Sequence, residues 1–383
     1  MSDGGLSLEA TVKMVDEATS YIDLFGTCEG DKKTQEAHLK KQYQKIAKIL
    51  HPDMYSDPGY KTIAENAFSK MQDFHAQAKE AIKDGTYGEV KDLATITTKK
   101  YTHSIKRKIG VGDLSDIYFA QSLVGSNSIP TIVKIASNPI DNDLIEAETR
   151  ALEILGNSKK NEKFKPFVST LVDSFIYAGT ASENRSANVI AIPEKGFLTL
   201  EELKEAHFKN GLDPLHAAWI WRRLLAAIGF AHQNGVIHGA VLPSNILIHP
   251  EKHGVVLIDW CYSQIENADG TFNPINAIVD SKKDWYPDEV LSKGSPSAAT
   301  DISIAARSMI FVLGGDPITG EMPNSVPLPM QRHFKGCISK SQLSRPDDAF
   351  LLLNEFDQLL EYIGKPFHPR VFRPLNITNS FVR

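Results

Sequence analysis

The sequence predicts a multi-domain chain in which an all-α segment of roughly one quarter of the length is followed by a larger α+β domain. Two apolar stripes at helical spacing lie within residues 37–50 and 64–82. Glycine-punctuated, β-branched stretches start near residue 109 and then alternate with helical patterns. A length of 383 residues suits two to three domains, and a hydrophobic content of 42% is ample for packed cores.

The first elements follow from periodicity. Between Ala37 and Leu50, Leu39, Tyr43, Ile46, Ala47 and Leu50 share one helical face, while Lys41, Lys45 and Lys48 share another. From Ala64 to Ile82, Ala67, Phe68, Met71, Phe74, Ala78 and Ile82 form a second stripe. The stripes hide each other only in an antiparallel hairpin, which puts His51, Pro52 and Asp53 at its turn.

A His-Pro-Asp turn directly after a basic helix resembles the J-domain, the module that stimulates ATP hydrolysis by DnaK-type chaperones. Tyr21 to Gly26 then resembles the short opening helix of that module, which spans residues 1–90 here. The resemblance implies that Lys41, Lys45, Lys48, His51, Pro52 and Asp53 dock on the chaperone's ATPase and linker region. Attraction to an acidic partner would speed encounter and weaken with salt.

Composition narrows the classes. A net charge of -5 excludes a general nucleic-acid binder and makes the lysines of residues 41–48 a local feature. No apolar run approaches membrane-spanning length, and Met1 to Ala10 lacks a signal peptide's basic and apolar regions. A cytoplasmic protein with no membrane and no nucleic-acid partner is expected. Cys28, Cys261 and Cys337 are too few and too scattered for a disulfide framework or a zinc site. Asp84 to Gly88 and a polar stretch to Lys100 read as an interdomain connection, with residues 91–100 as the linker proper.

The second domain opens with Ile109-Gly110-Val111-Gly112-Asp113-Leu114-Ser115-Asp116-Ile117-Tyr118, followed by the strand Thr131 to Ala136 around Lys134. Leu144 to Leu155 reads as a helix carrying Glu148, with Glu146 as the competing acid. A strand from Ala187 to Ile192 precedes Pro193-Glu194-Lys195-Gly196, and a helix from Pro214 to Gln233 leads to Val236 through Ile248. That last stretch contains His238-Gly239-Ala240-Val241-Leu242-Pro243-Ser244-Asn245. Leu257-Ile258-Asp259-Trp260-Cys261, Tyr286 to Leu291, a helix beginning at Ala299-Thr300-Asp301, and Arg345-Pro346 complete the series.

In this order and spacing the segments resemble a protein kinase, which implies a two-lobed α+β fold with a small lobe at 101–192 and a large lobe at 193–365. A Pro- and Arg-rich tail at 366–383 packs on its own domain in this reading. The resemblance makes Gly110 and Gly112 the phosphate-covering loop, Lys134 with Glu148 the ion pair that holds phosphates, and Asn245 with Asp259 the ligands of Mg2+. Residues 193–196 become the hinge where adenine meets backbone groups. Asp301 and the pair of Glu289 with Arg345 become structural.

The chain departs from the kinase pattern where chemistry is done. Ala240 stands for the catalytic aspartate, Leu242 for the lysine two residues on, and Gly239 for the arginine that reads a phosphorylated activation segment. Loss of such a base costs about 10²- to 10⁴-fold. No catalytic residue is therefore expected at this loop, whereas binding of ATP and Mg2+ is. Trp260 and Cys261, a bulky residue and a Cβ, are expected to hold their segment in one arrangement.

The combined expectation is a J-domain co-chaperone that recruits a DnaK-type ATPase, fused to a nucleotide-binding pseudokinase that selects a client protein or gates recruitment. Two alternatives stay open. One is a transferase of phosphate or AMP, with Asp113, Asp116 or Asp284 as an unconventional base. The other is a kinase-fold scaffold with an empty pocket.

Overall fold

The computed structural model describes residues 7–18, 20–88, 92–178, 183–193, 196–368 and 375. Its contacts divide the chain into two compact units, Met1–Ile96 with His103–Lys108, and Thr97–Thr102 with Ile109–Arg383.

The first unit is chiefly helical. Helix α1 (Leu8–Glu17) starts where the Ser7 hydroxyl accepts the Ala10 N–H at 3.2 Å, and it buries Thr11 and Val15. The sequence reading did not include this helix. Helix α2 (Tyr21–Phe25) opens on a capping box of Ser20 and Asp23 and stops at Gly26, whose φ of 71° suits glycine. Helix α3 (Lys32–Leu50) and helix α4 (Pro58–Asp84) are the two expected stripes, each begun earlier than periodicity alone placed it. The reason is capping: Asp31 accepts the Thr34 N–H, and Asp57 accepts those of Gly59 and Tyr60 ahead of Pro58 at the first turn.

The facing residues close into one core of Leu39, Ile46 and Leu50 from α3 and Ala67, Met71, Phe74, Ala78 and Ile82 from α4. Val15 of α1 and Phe25 of α2 complete it. A fully buried side chain of this size contributes roughly 1.5–3 kcal/mol, so the core suffices to hold helices this short and polar on their outer faces. Strands β1 (Ala94–Thr97) and β2 (Thr102–Val111) follow. This corrects the expected linker at 91–100, because Ala94-Thr95-Ile96-Thr97 is β-branched enough to pair although its side chains are mostly exposed.

In the second unit, strands β3 (Ser115–Val124), β4 (Asn127–Ala136), β5 (Leu171–Ala178) and β6 (Asn184–Ala191) form an antiparallel run in the order β3-β4-β6-β5. The register sets Lys134 opposite Asn188 and Ile132 opposite Ile190. Helix α5 (Asn142–Asn157) lays Leu144, Ile145, Ala151, Leu152 and Leu155 against the core, with Glu148 on the same buried face.

The remainder is mainly helical. Strand β7 (Leu198–Thr199) and the single turn α6 (Leu200–Glu202), capped by Thr199, lead to helix α7 (Pro214–His232). Buried nearly all round, α7 is the central post of this lobe. Strands β8 (Val236–Ile237), β9 (Ile246–His249), β10 (Gly254–Leu257) and β11 (Gln264–Ile265) form two small sheets, β10-β9-β7 and β11-β8. Helices α8 (Asp288–Leu291), α9 (Ala298–Val312), α10 (Leu328–Cys337) and α11 (Ala349–Ile363) pack around α7 and its neighbours through Met309, Phe334 and Phe356. Of the expected tail, Leu375 is buried and its N–H donates to the Pro250 carbonyl at 3.1 Å, while residues 369–374 and 376–383 lie outside the described residues. Among the described residues, no helix is long and apolar enough to cross a membrane.

Candidate functional site

Lys134, on the buried side of β4, is the centre of the principal site. An ammonium carries three N–H donors, and all three are engaged: Glu148 Oε1 at 2.9 Å, Asp259 Oδ1 at 2.7 Å and Cys261 Sγ at 3.2 Å. Glu148 is equally well satisfied. Its Oε1 also accepts the Trp260 N–H at 3.2 Å, and its Oε2 accepts the Asn188 amide at 3.0 Å. Glu146, the competing acid, instead accepts from the Ser186 hydroxyl at 3.1 Å.

The electrostatics follow from this closure. Burial by itself would lower the lysine's pKa, but the Asp259 and Glu148 carboxylates hold it well above its ordinary value. Burial would likewise raise the Asp259 carboxyl, yet the charge and hydrogen bond of Lys134 keep it below its usual range. The Cys261 thiol is pushed up by burial and by the Glu148 charge, so it sits in the cluster as a neutral S–H.

The backbone that presents these groups is specialised. Asp259 has φ 63° and ψ 68°, a left-handed conformation that turns its carboxylate toward Lys134 and lets Trp260 and Cys261 begin a 3₁₀ turn. Trp260 is fully buried, its indole N–H donates to the Leu257 carbonyl at 3.2 Å, and its ring meets His238 edge-on at 4.5 Å. The arrangement pins the segment at both of the positions where the sequence departs from small or flexible residues.

Ala240 and Leu242 are wholly buried. Leu242 belongs to the hydrophobic core, so the position holds an apolar anchor in place of a cation facing solvent. Gly239 has φ 80°, and a Cβ there would lie 2.4 Å from the Tyr262 carbonyl oxygen, so the position demands glycine and excludes arginine along with every other side chain. Asp301 organises this loop by accepting the N–H groups of His238 and Gly239, both at 2.8 Å, and a His232 ring nitrogen at 2.9 Å. Glu289 meets Arg345 and accepts from the Thr300 hydroxyl at 3.0 Å.

A cavity of about 880 Å³ opens beside the Lys134 cluster, between Ile117, Ile132 and Ile190 on one wall and Leu247, Val256 and Ile258 on the other. Gly112, Lys134, Glu148, Asn245 and Asp259 line it. Gly110 does not; it lies inside β2, before the hairpin in which Gly112 N–H donates to Ser115 O at 2.8 Å. Asp113 is the one of the three alternative bases among the lining residues. Mg2+ takes hard oxygen ligands, and Asp259 and Asn245 supply them: one Asp259 oxygen is engaged by Lys134, and the Asn245 amide is oriented by donating to the Ala240 carbonyl at 3.0 Å. The donor set therefore fits a Mg-bound nucleotide. Of the expected hinge, Pro193 and Gly196 line the cavity, and residues 194–195 lie outside the described residues.

Sequence reasoning missed Asn188, Ser169 and the role of Cys261. The polar Asn188 within the apolar run Ala187-Asn188-Val189-Ile190 was a readable signal. Ser169, a cavity-lining residue whose buried hydroxyl has no hydrogen-bond partner, gave none.

In the helical unit, the 51–53 turn is exposed. His51 ends α3, its Nδ1 accepts the Asp53 N–H at 3.3 Å, and its ring meets Phe68 edge-on at 5.7 Å. The Tyr55 hydroxyl donates to the Ile49 carbonyl at 2.6 Å and ties the turn back to α3. Lys41, Lys45 and Lys48 are all exposed on that helix.

No protein-family model matches the chain. It is 24% identical over 189 residues to a probable serine/threonine-protein kinase of Dictyostelium discoideum, covering 49% of this chain and 27% of that protein. It is 28% identical over 130 residues to the serine/threonine-protein kinase PknB of Mycobacterium tuberculosis, covering 34% of this chain and 20% of that one. The chain thus spans about a quarter or less of the length of these curated relatives. The crystal structure of the Mycobacterium tuberculosis PknI kinase domain superposes with a TM-score of 0.51 at 14% identity, covering 70% of this chain and 99% of that one. The domain that holds Lys134, Glu148 and Asp259 therefore has the two-lobed α+β fold of protein kinases.

Proposed function

We propose that the chain is a J-domain co-chaperone that recruits and stimulates a DnaK-type ATPase, with a kinase-like domain that binds nucleotide and selects the client or gates recruitment. The observation that carries the first half is the exposed His51-Pro52-Asp53 turn, fixed by its own caps directly beyond the exposed row of Lys41, Lys45 and Lys48. The second half is supported by a cavity that keeps Lys134, Glu148, Asn245 and Asp259 while Ala240 and Leu242 are packed into the core. ATP with Mg2+ is the proposed ligand and the cytoplasm the proposed location. Phosphate transfer by the usual kinase route is absent from this reading.

The test uses the full-length chain with a DnaK-type chaperone. Wild-type protein should accelerate ATP hydrolysis by the chaperone, and His51→Gln should remove the acceleration while circular dichroism stays unchanged. Equal stimulation by both proteins would eliminate the J-domain reading. One observation favours a second reading, an unconventional transferase: Asp113 lines the same cavity as Lys134 and Asp259. Incubation with γ- and α-labelled ATP separates the two, since label entering protein and lost in Asp113→Asn would establish transfer.

A further inference from the structure

We propose that the ion pair of Lys134 with Asp259 makes the cavity take its metal ion and its nucleotide together, each ligand binding poorly without the other. This rests on the nucleotide-binding reading above and concerns how that same site is filled.

Three acceptors surround the Lys134 ammonium, and one of them differs from the other two in exposure. Glu148 is 1% exposed, and the Trp260 N–H and the Asn188 amide hold it in place. Cys261 is equally buried, and its sulfur at 3.2 Å is a weak acceptor. The Asp259 side chain, by contrast, lines the cavity, is 32% exposed and keeps its Oδ1 2.7 Å from the ammonium. Asp259 is the partner that can exchange.

The same carboxylate is the charged oxygen donor for an ion at this site, so Lys134 and the ion compete for one negative charge. An ion that arrived alone would set two positive charges beside an ammonium only 11% exposed, and would draw away that ammonium's most accessible partner. A phosphate that arrived alone would meet the opposite obstacle. Glu148 and Asp259 outnumber the one ammonium they enclose, so the cluster repels an anion. Both obstacles vanish when the two ligands come together. Asp259 then turns to the ion, the N–H that it releases on Lys134 goes to a phosphate oxygen, and every charge keeps a partner. Coupling between two ligands commonly amounts to about 5- to 150-fold in affinity, equal in both directions.

The test is calorimetric binding to the full-length chain, with ATP in EDTA, ATP with Mg2+, and Mg2+ alone as the probes. Wild-type protein should bind ATP about 100-fold more tightly with Mg2+ than in EDTA, and Mg2+ alone should give no measurable binding. Asp259→Asn removes the charge that holds the ammonium. In EDTA this variant should bind ATP about 10-fold more tightly than the wild type does, and Mg2+ should add less than about 5-fold to it. Wild-type affinities within about 5-fold of each other with and without the ion would overturn the coupling and leave nucleotide binding standing. A folded Asp259→Asn variant no tighter than wild type in EDTA would overturn it as well. Failure of ATP to bind under any of these conditions would overturn the nucleotide reading, and this inference with it. The wild-type comparison decides the matter if the variant fails to fold.

Discussion

Lys134 and Glu148 are buried nearly as deeply as Ala240 and Leu242 in the same domain, yet the first two are charged and the second two apolar. In the first pair every charge has a partner: three acceptors surround the ammonium, and three donors reach Glu148. In the second, the charges that a phosphoryl-transfer loop would carry have been exchanged for side chains that pack. Under the proposed reading, the difference separates holding a nucleotide from transferring its phosphate. Binding groups can be kept ready in a dry interior by satisfying one another, whereas a base and a cation aimed at an absent substrate have no such internal partner.

The largest effect should come from breaking the charged side. Lys134→Ala leaves the buried Glu148 carboxylate, and the partly exposed Asp259, without their cation, which costs about 3 kcal/mol or more. At about 2–4 °C per kcal/mol, the domain's melting temperature should fall on the order of 10 °C. Lys134→Met combined with Glu148→Gln and Asp259→Asn should recover most of that loss, because neutral groups carry no comparable desolvation cost. Calorimetry of the full chain checks both. If the triple variant melted as low as Lys134→Ala, packing of the lysine stem would be the source of the stability and the ion cluster would not.

A smaller effect tests the apolar side. Gly239→Ala puts a Cβ at a position with φ 80° and against the Tyr262 carbonyl, a strain of about 1–3 kcal/mol. A drop of several degrees in melting temperature is expected, with ligand affinity at the Lys134 cluster preserved. No drop would mean that the backbone tolerates a side chain there, and that the missing arginine is a matter of sequence alone.

The sequence alone carries part of this contrast. The stripes of α3 and α4 were legible because their residues bury against neighbours at fixed spacing, and so was the choice of Glu148 over Glu146. Helix α1 was not, since its short apolar row is stabilised by packing on other helices and not by its own composition. The meeting of Cys261 with Lys134 depends on the left-handed turn at Asp259, which no local pattern announces.

The smallest effect extends the comparison to two partly buried imidazoles of the large lobe. His232 meets the Asp301 carboxylate at 2.9 Å. His333 faces the Trp221 indole N–H at 2.9 Å, which requires its Nε2 to be an unprotonated acceptor. Burial among Trp221, Phe334 and Phe356 lowers the His333 pKa from 6.5 to about 4. The unfolded chain therefore binds a proton between these values that the folded chain refuses. The contribution of this group is complete above pH about 6.5, declines as pH falls toward 4, and changes no further below it. His333→Gln retains an acceptor for Trp221 and removes the titration, so its melting temperature should match the wild type near pH 7. Near pH 5.5 it should fall less than the wild type, by about 1 kcal/mol of stability. Parallel melting profiles for the two proteins from pH 7 to 4 would show that this imidazole stays charged or exposed, and that its neutral bond to Trp221 has no part in the lobe's response to acid.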